Sequence, residues 1–473
     1  MPKMNKALGS VLLLLGGTAG SQFLLIIASP LLTRLYEPDQ FGVLALVVSL
    51  IGLLSVIASA RYELAIPIPW SRQTAVNLAA LCQFVVVIVA ALSCLVLVIW
   101  HKALATWINT PVLNEYYMWI PVGVLVVGFF QVYQFLEIRD KRFSIIARSK
   151  LFQSGSVIFL QILLSSITAG GLLIGHVLGQ ALATIMLARF ARSKKWGVVG
   201  YKKVIAVSKR YRHFPIYGAG AGLLNSAGLH LPAIFFASFF GLAEAGIYAL
   251  AHRVLASPIS MIGQAVAQVF LSEAPERYRT GSLSELVSAL NTYLLMLGLP
   301  VGVILIVAGR EVFSFIFGPS WGEAGEIAQW LALWLVVALS TSPISMVFNV
   351  AEQQRRGLIM QAVLLVLRIT GISVGVYYDQ FGVAVAAFSI GGYIGYILYL
   401  TVACWTVKAN LLTLLLNYSC ASIFLLMAFF LQGYWREIGG IDQLFISAGT
   451  SALLIGYYVI VLKRVMNDSK IAG

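Results

Sequence analysis

Four arginines in this chain have the chemistry and the placement to hold a charged ligand. Arg253 and Arg368 fall inside long apolar runs, and Arg34 and Arg61 stand at the ends of such runs. A charge within an apolar segment is costly and tends to mark function. The acids are the contrast: none of the eighteen Asp and Glu falls in the middle of a run, and Glu63, Glu137 and Glu352 sit at run ends. A cavity built from these segments would be cationic and would want an anion. Arginine suits phosphate because its planar fork stays charged and makes bidentate contacts. Each residue also has a plainer reading. Arg34 and Arg61 can snorkel to an interface, and Arg368 can face a helix bundle or pair with a backbone carbonyl. His176 and His230, near or within runs, read as satisfied helix contacts.

Other chemistry is poorly supported. No HExxH, P-loop or nucleophile elbow is present. The GAGAG stretch at Gly218–Gly222 has no preceding strand and opens an apolar run, so it is no phosphate loop. Cys82, Cys94, Cys404 and Cys420 lie in or beside apolar runs, outside any CxxC, and read as small hydrophobes. No metal and no cofactor is expected.

The elements that must position the arginines follow from composition. Of 473 residues, 60% are hydrophobic and only 11% are charged, and the mean hydropathy is +0.91. A soluble domain carries roughly 45–50% apolar and about 25% charged residues. A soluble enzyme, a disordered chain and a secreted disulfide scaffold are therefore excluded. Spans of roughly 20 residues are expected at 8–32, 41–60, 78–100, 118–136, 151–169, 171–190 and 216–237. Seven more are expected at 246–270, 287–308, 330–350, 357–378, 382–403, 411–431 and 443–462. The first could mimic a signal peptide behind Lys3 and Lys6, but it is long enough to span and is kept as a helix.

The net charge of +14 would suggest nucleic acid in a soluble protein. Here it reads as loop bias, and no nucleic-acid partner is expected. With the N-terminus inside, 26 of the 32 Lys and Arg fall in inside segments. Only Arg34, Lys102, Arg310 and Arg436 fall outside, while Arg253 and Arg368 lie within helices. That split places both termini in the cytoplasm. The segment around 191–215 is dense in Lys and Arg and reads as a basic interfacial linker or a solvated loop.

The chain also repeats itself. Leu32–Leu46 and Phe236–Leu250 share Gly42/Gly246, Ala45/Ala249 and Leu46/Leu250 at an offset of 204. Gly16-xxx-Gly20 answers Gly218-xxx-Gly222, and Gly175-xxx-Gly179 answers Gly391-xxx-Gly395. Such pairs let helix backbones approach closely. The expected fold is an all-α polytopic membrane protein of about 14 transmembrane helices. It has two six-helix lobes related by an internal repeat, at 1–190 and 216–403. The linker 191–215 joins them, and two further helices and a short tail occupy 404–473.

Several stretches carry a family likeness: PLLTRLYEPDQFGVLAL (Pro30–Leu46), RYELAIPIP (Arg61–Pro69) and EIRDKRFSIIARSKLFQS (Glu137–Ser154). FGPSWGEAGEIAQWLALW (Phe317–Trp334) and SPISMVFNVAEQQRRGL (Ser342–Leu358) add to it. With these the chain resembles the polysaccharide transporter, or O-antigen flippase, family of the multidrug/oligosaccharidyl-lipid/polysaccharide exporter superfamily. The resemblance implies a multi-pass protein of the bacterial inner membrane. It implies transfer of a polyprenyl-diphosphate-linked oligosaccharide to the periplasmic leaflet for O-antigen, capsule or exopolysaccharide assembly. A polysaccharide polymerase and a chain-length regulator are the protein partners it suggests, beside the lipid bilayer. By helix and depth, it assigns the diphosphate to Arg34, Arg61 and Arg253, with Arg368 added as the other intramembrane arginine. Gln22, Asn225, Gln264 and Asn349 are placed to meet sugar hydroxyls. Two rivals remain. A multidrug cation antiporter of the same superfamily would be expected to use buried carboxylates. A membrane glycosyltransferase or polymerase would want an acidic pair, which Glu37 and Asp39 imitate around Pro38 in what reads as a turn.

Overall fold

A computed structural model describes residues 2–192, 199–438 and 456. Among the described residues every regular element is a helix. The helices are α1 (Pro2–Leu35), α2 (Pro38–Ser55), α3 (Arg72–Trp107), α4 (Leu113–Tyr116) and α5 (Trp119–Arg139). They continue with α6 (Phe143–Leu164), α7 (Gly171–Arg192), α8 (Tyr201–Arg210), α9 (Ala219–Phe239) and α10 (Leu242–Thr280). The last are α11 (Leu283–Phe317), α12 (Gly322–Thr341), α13 (Val347–Val350), α14 (Gln354–Tyr377), α15 (Phe381–Thr406) and α16 (Leu411–Ile438).

Ten of the described helices or helical stretches are long and apolar enough to cross a membrane. They answer ten of the fourteen expected spans. The expected 8–32 span lies within α1, and 151–169 is answered by α6, which carries Arg148 and Lys150 and so falls short in apolarity. The expected 411–431 span lies in α16, whose apolar stretch is Leu414–Phe430. The expected 443–462 span lies outside the described residues.

The chain forms two compact units, Met1–Ala249 and Leu250–Gly473. In the first, the turn between α1 and α2 is pinned by its own motif. Pro38 opens α2, where a missing N–H matters least, and the Glu37 amide donates to the Gln40 side chain at 3.0 Å. The Tyr36 hydroxyl donates to the Gln161 carbonyl at 2.5 Å, and Gln40 Nε2 donates to the Ala169 carbonyl at 3.1 Å. The YEPDQ stretch thus fastens the α1–α2 turn to the α6–α7 hairpin. Gly171 starts α7 against the Leu164 carbonyl and the Tyr36 hydroxyl, where no side chain fits.

Small residues set the helix approaches, as membrane packing favours. Gly175 and Gly179 bring α7 onto the α6 backbone at Gln161 and Val157. On α1 the close approach is made by Gly17 against Ala147 and Gly20 against Leu151, whereas Gly16 faces open space. Gly42 meets the Leu242 carbonyl, and Gly246 meets the Pro38 carbonyl. Both contacts lie in the first unit, and they are reciprocal at the offset of 204. A local two-fold relating α2 to the first turns of α10 produces such a pair. In the second unit, Gly371 and Gly391 bring α14 and α15 together at the Ala387 and Leu367 carbonyls, and Gly395 packs on Leu364.

Candidate substrate-binding site

In the first unit the two expected arginines stand apart. Arg34 is exposed in the last turn of α1, where its charge complements the carbonyl end of the helix. Arg61 follows α2. Between them lies the whole of that 18-residue helix, a length of about 27 Å at ~1.5 Å per residue. They cannot share one diphosphate.

Arg61 is held in an unusual way. Ala60 and Arg61 both adopt left-handed backbone, with φ of 49° and 61°, a conformation that costs a non-glycine residue roughly 1–2 kcal/mol. Such strain clusters at functional positions. Arg61 Nη1 lies 3.7 Å from Oε1 of Glu63, which is only 2% exposed. The Ser59 hydroxyl donates to the other carboxylate oxygen of Glu63. The arginine stem lies beside Gly218, and its guanidinium fills the space a side chain at Gly222 would need. This glycine pair therefore makes room for a cation rather than for a helix backbone. Arg61 Nε is buried without a hydrogen-bond partner among the described residues.

The polar residues expected beside sugar are scattered. In the first unit Gln22 is half-buried on α1 and Asn225 is exposed on α9. His230 packs its ring on Gly52 of α2. In the second unit Gln264 is exposed on α10, and Asn349 is exposed on α13, donating to the Met346 sulfur at 3.4 Å.

The second unit holds the two deep arginines. Arg253 stands eleven residues beyond Leu242, about 16 Å along α10 at ~1.5 Å per residue. The helix begins four residues earlier than the sequence suggests, so Arg253 lies deeper than the roughly 10 Å its position in the apolar run implies. It is half-buried and forms no salt bridge among the described residues. Arg368 is only 6% exposed in α14. Its guanidinium carbon sits 4.2 Å from the Trp334 ring centroid, 5.3 Å from Tyr396 and 5.4 Å from Phe388. Trp334 also stacks on His252, the residue before Arg253, at 6.0 Å.

The sequence did not reveal one polar cluster. Glu137, fully buried at the end of α5, receives Arg142 Nη2 at 2.5 Å. Asp140 lies 3.7 Å from Arg72 and from Arg139, and 3.9 Å from Arg142. Arg139 Nη2 donates to the Pro69 and Trp70 carbonyls at 3.0 and 3.2 Å. The EIRDKR motif is thus an ion-paired clasp joining α3, α5 and the loop after Arg61. Its alternating signs were the available signal; the burial of Glu137 was not readable.

Residues 31–326 match the sequence profile of a family described as polysaccharide biosynthesis protein. Among curated proteins, the chain is similar to the teichuronic acid biosynthesis protein TuaB of Bacillus subtilis (strain 168). The two are 22% identical over 251 residues, covering 50% of this chain and 51% of TuaB. The chain thus spans about half the length of that relative. Among solved structures it resembles the lipid II flippase MurJ in an inward closed conformation. That match has a TM-score of 0.73 at 16% identity and covers 96% of this chain and 99% of MurJ. A multidrug resistance MATE family transporter of the MOP superfamily, inward-facing, matches with a TM-score of 0.57 at 13% identity, over 84% and 94% of the two chains. At these identities the likeness concerns the fold, which is the helical membrane fold the sequence led us to expect. With the profile extending over more than half of its length, the chain belongs to the polysaccharide biosynthesis protein family.

Proposed function

We propose that this chain is a flippase that carries a polyprenyl-diphosphate-linked oligosaccharide from the cytoplasmic to the periplasmic leaflet of the bacterial inner membrane. Both termini are cytoplasmic in this reading, and the cargo enters O-antigen, capsule or exopolysaccharide assembly. The observation that carries it is Arg253, a half-buried cation deep in α10 with no carboxylate partner among the described residues. Arg61, recessed against α9, is the phosphate-binding candidate of the first unit. The polyprenyl tail stays in lipid while the diphosphate and sugars cross by alternating access. Family membership and the MurJ-like fold support the same reading.

The test uses a strain of the source bacterium lacking this chain, complemented with wild type or with Arg253→Ala. Lipid extracts are examined for polyprenyl-diphosphate-linked oligosaccharide while surface polymer is measured. Accumulated lipid-linked intermediate with no surface polymer, rescued by wild type and not by a normally inserted Arg253→Ala, is the expected result. Normal surface polymer without accumulation would overturn the flippase reading. Full rescue by Arg253→Ala would remove the phosphate role from Arg253.

A further inference from the structure

We propose that Arg368, Trp334 and Ser389 form a binding site for a small monovalent inorganic anion of the chloride class inside the second unit. The aromatic rings of Trp334, Tyr396 and Phe388 surround the guanidinium. Ring faces satisfy the face of a guanidinium through their quadrupole. They cannot satisfy its N–H groups, which lie in its plane and need acceptors. Nε and Nη2 of Arg368 are buried and have no hydrogen-bond partner among the described residues. The same is true of the Trp334 indole N–H and the Ser389 hydroxyl. Trp334 is 5% exposed and Ser389 is fully buried.

These groups share one region. Gly392 of α15 is the point of closest approach, since a side chain there would lie 3.2 Å from Trp334 Cβ and 3.3 Å from Arg368 Nε. Ser389 stands three residues before Gly392, and Phe388 and Tyr396 stand four residues to either side of it, so all lie on one helix face. An arginine cannot escape the charge by losing its proton. No Asp or Glu of the second unit is buried among the described residues. The set offers N–H and O–H donors and one uncompensated positive charge, which is the complement of a monovalent anion. Its enclosure excludes a diphosphate bearing sugar. This site is therefore separate from the phosphate role proposed for Arg253, and its test does not depend on transport.

Purified full-length protein in nanodiscs is titrated from sodium gluconate into sodium chloride at constant ionic strength. The unfolding midpoint is followed, with a parallel bromide titration read by tryptophan quenching. A ligand of the folded state raises the midpoint by mass action, as the logarithm of its concentration above the dissociation constant, whereas quenching at the site follows occupancy and saturates. The wild type should show a chloride-specific, logarithmic rise in midpoint and a hyperbolic bromide quench. Arg368→Met should weaken it at least tenfold, and Trp334→Phe or Ser389→Ala should weaken it severalfold. If Arg368→Met does not fold, the latter two variants decide. A response unchanged in the variants, or one that rises linearly with halide, would overturn the site. Equal or stronger action by pyrophosphate at the same residues would overturn the small-anion assignment.

Discussion

Replacing Gly42 with alanine should destabilise the first unit by about 2 kcal/mol, within the usual 1–3 kcal/mol of overpacking, and Gly246→Ala should do the same. A methyl at Gly42 would fall inside the van der Waals surface of the Leu242 carbonyl oxygen, and a methyl at Gly246 inside that of Pro38. The obstacle in each case is backbone, which cannot rotate away. A carbon needs about 3.3 Å from a carbonyl oxygen, so α2 and the start of α10 would have to part by roughly 1 Å or more. One displacement relieves both clashes, because the contacts are reciprocal about a local two-fold. The double variant should therefore cost little more than either single one, leaving a coupling of about 1–2 kcal/mol between the positions. Thermal unfolding of purified protein in nanodiscs measures the cycle. Gly16→Ala is the control, since nothing lies near that position, and it should stay within about 0.5 kcal/mol. A double variant that costs the full sum of the singles would refute the reciprocal geometry, as would single variants indistinguishable from Gly16→Ala.

Other changes probe the polar anchors. Glu137→Ala leaves Arg142 without its buried partner and should cost about 3–5 kcal/mol, read as a fall in unfolding midpoint that removal of both side chains partly reverses. Tyr36→Phe deletes the bond to the Gln161 carbonyl and should cost about 1 kcal/mol in the same assay. Gly222→Ala displaces the flexible end of Arg61 rather than backbone. It should leave stability within about 0.5 kcal/mol, yet lower surface-polymer rescue as strongly as Arg61→Ala; intact rescue would mean the position of Arg61 does not matter.

The apolar runs revealed the helices because a membrane forces every backbone polar group into an internal hydrogen bond. Their edges were less legible. Residues 242–245 of α10 carry Leu, Ala and Glu, good helix formers, with Glu244 favourable in the first turn. Apolar periodicity alone starts that helix later, so the depth of Arg253 was underestimated. The repeat was legible through Gly42 and Gly246 because glycine records a backbone contact directly. The site was not. Arg61 meets Gly218 and Gly222 across more than 150 residues of chain, and no local pattern marks that meeting. Arg368 was visible as a charge in an apolar run, but its cage of Trp334, Phe388 and Tyr396 is assembled from two other helices, α12 and α15, and aromatic residues are common in both.

The two units treat buried charge differently, and this difference bears on where the proposed anionic cargo would be drawn. In the first unit both carboxylates that are buried among the described residues have an arginine: Glu63 has Arg61, and Glu137 has Arg142. A half-compensated arginine is held in place and binds a further anion weakly. In the second unit the ion pairs Arg277–Glu273 and Arg310–Glu326 are at or near helix ends, while Arg253 and Arg368 have no carboxylate partner among the described residues. Desolvated charges interact far more strongly than solvated ones, so the uncompensated pair dominates attraction for an anion. With Arg368 enclosed by aromatic rings, the proposed function assigns the large substrate to Arg253. Charge-preserving Arg253→Lys should therefore retain more transport than Arg253→Gln, and the gap between them should exceed the gap between the same two changes at Arg61, where Glu63 already supplies the counter-charge. Equal gaps at the two positions would show that compensation by Glu63 does not set the binding strength.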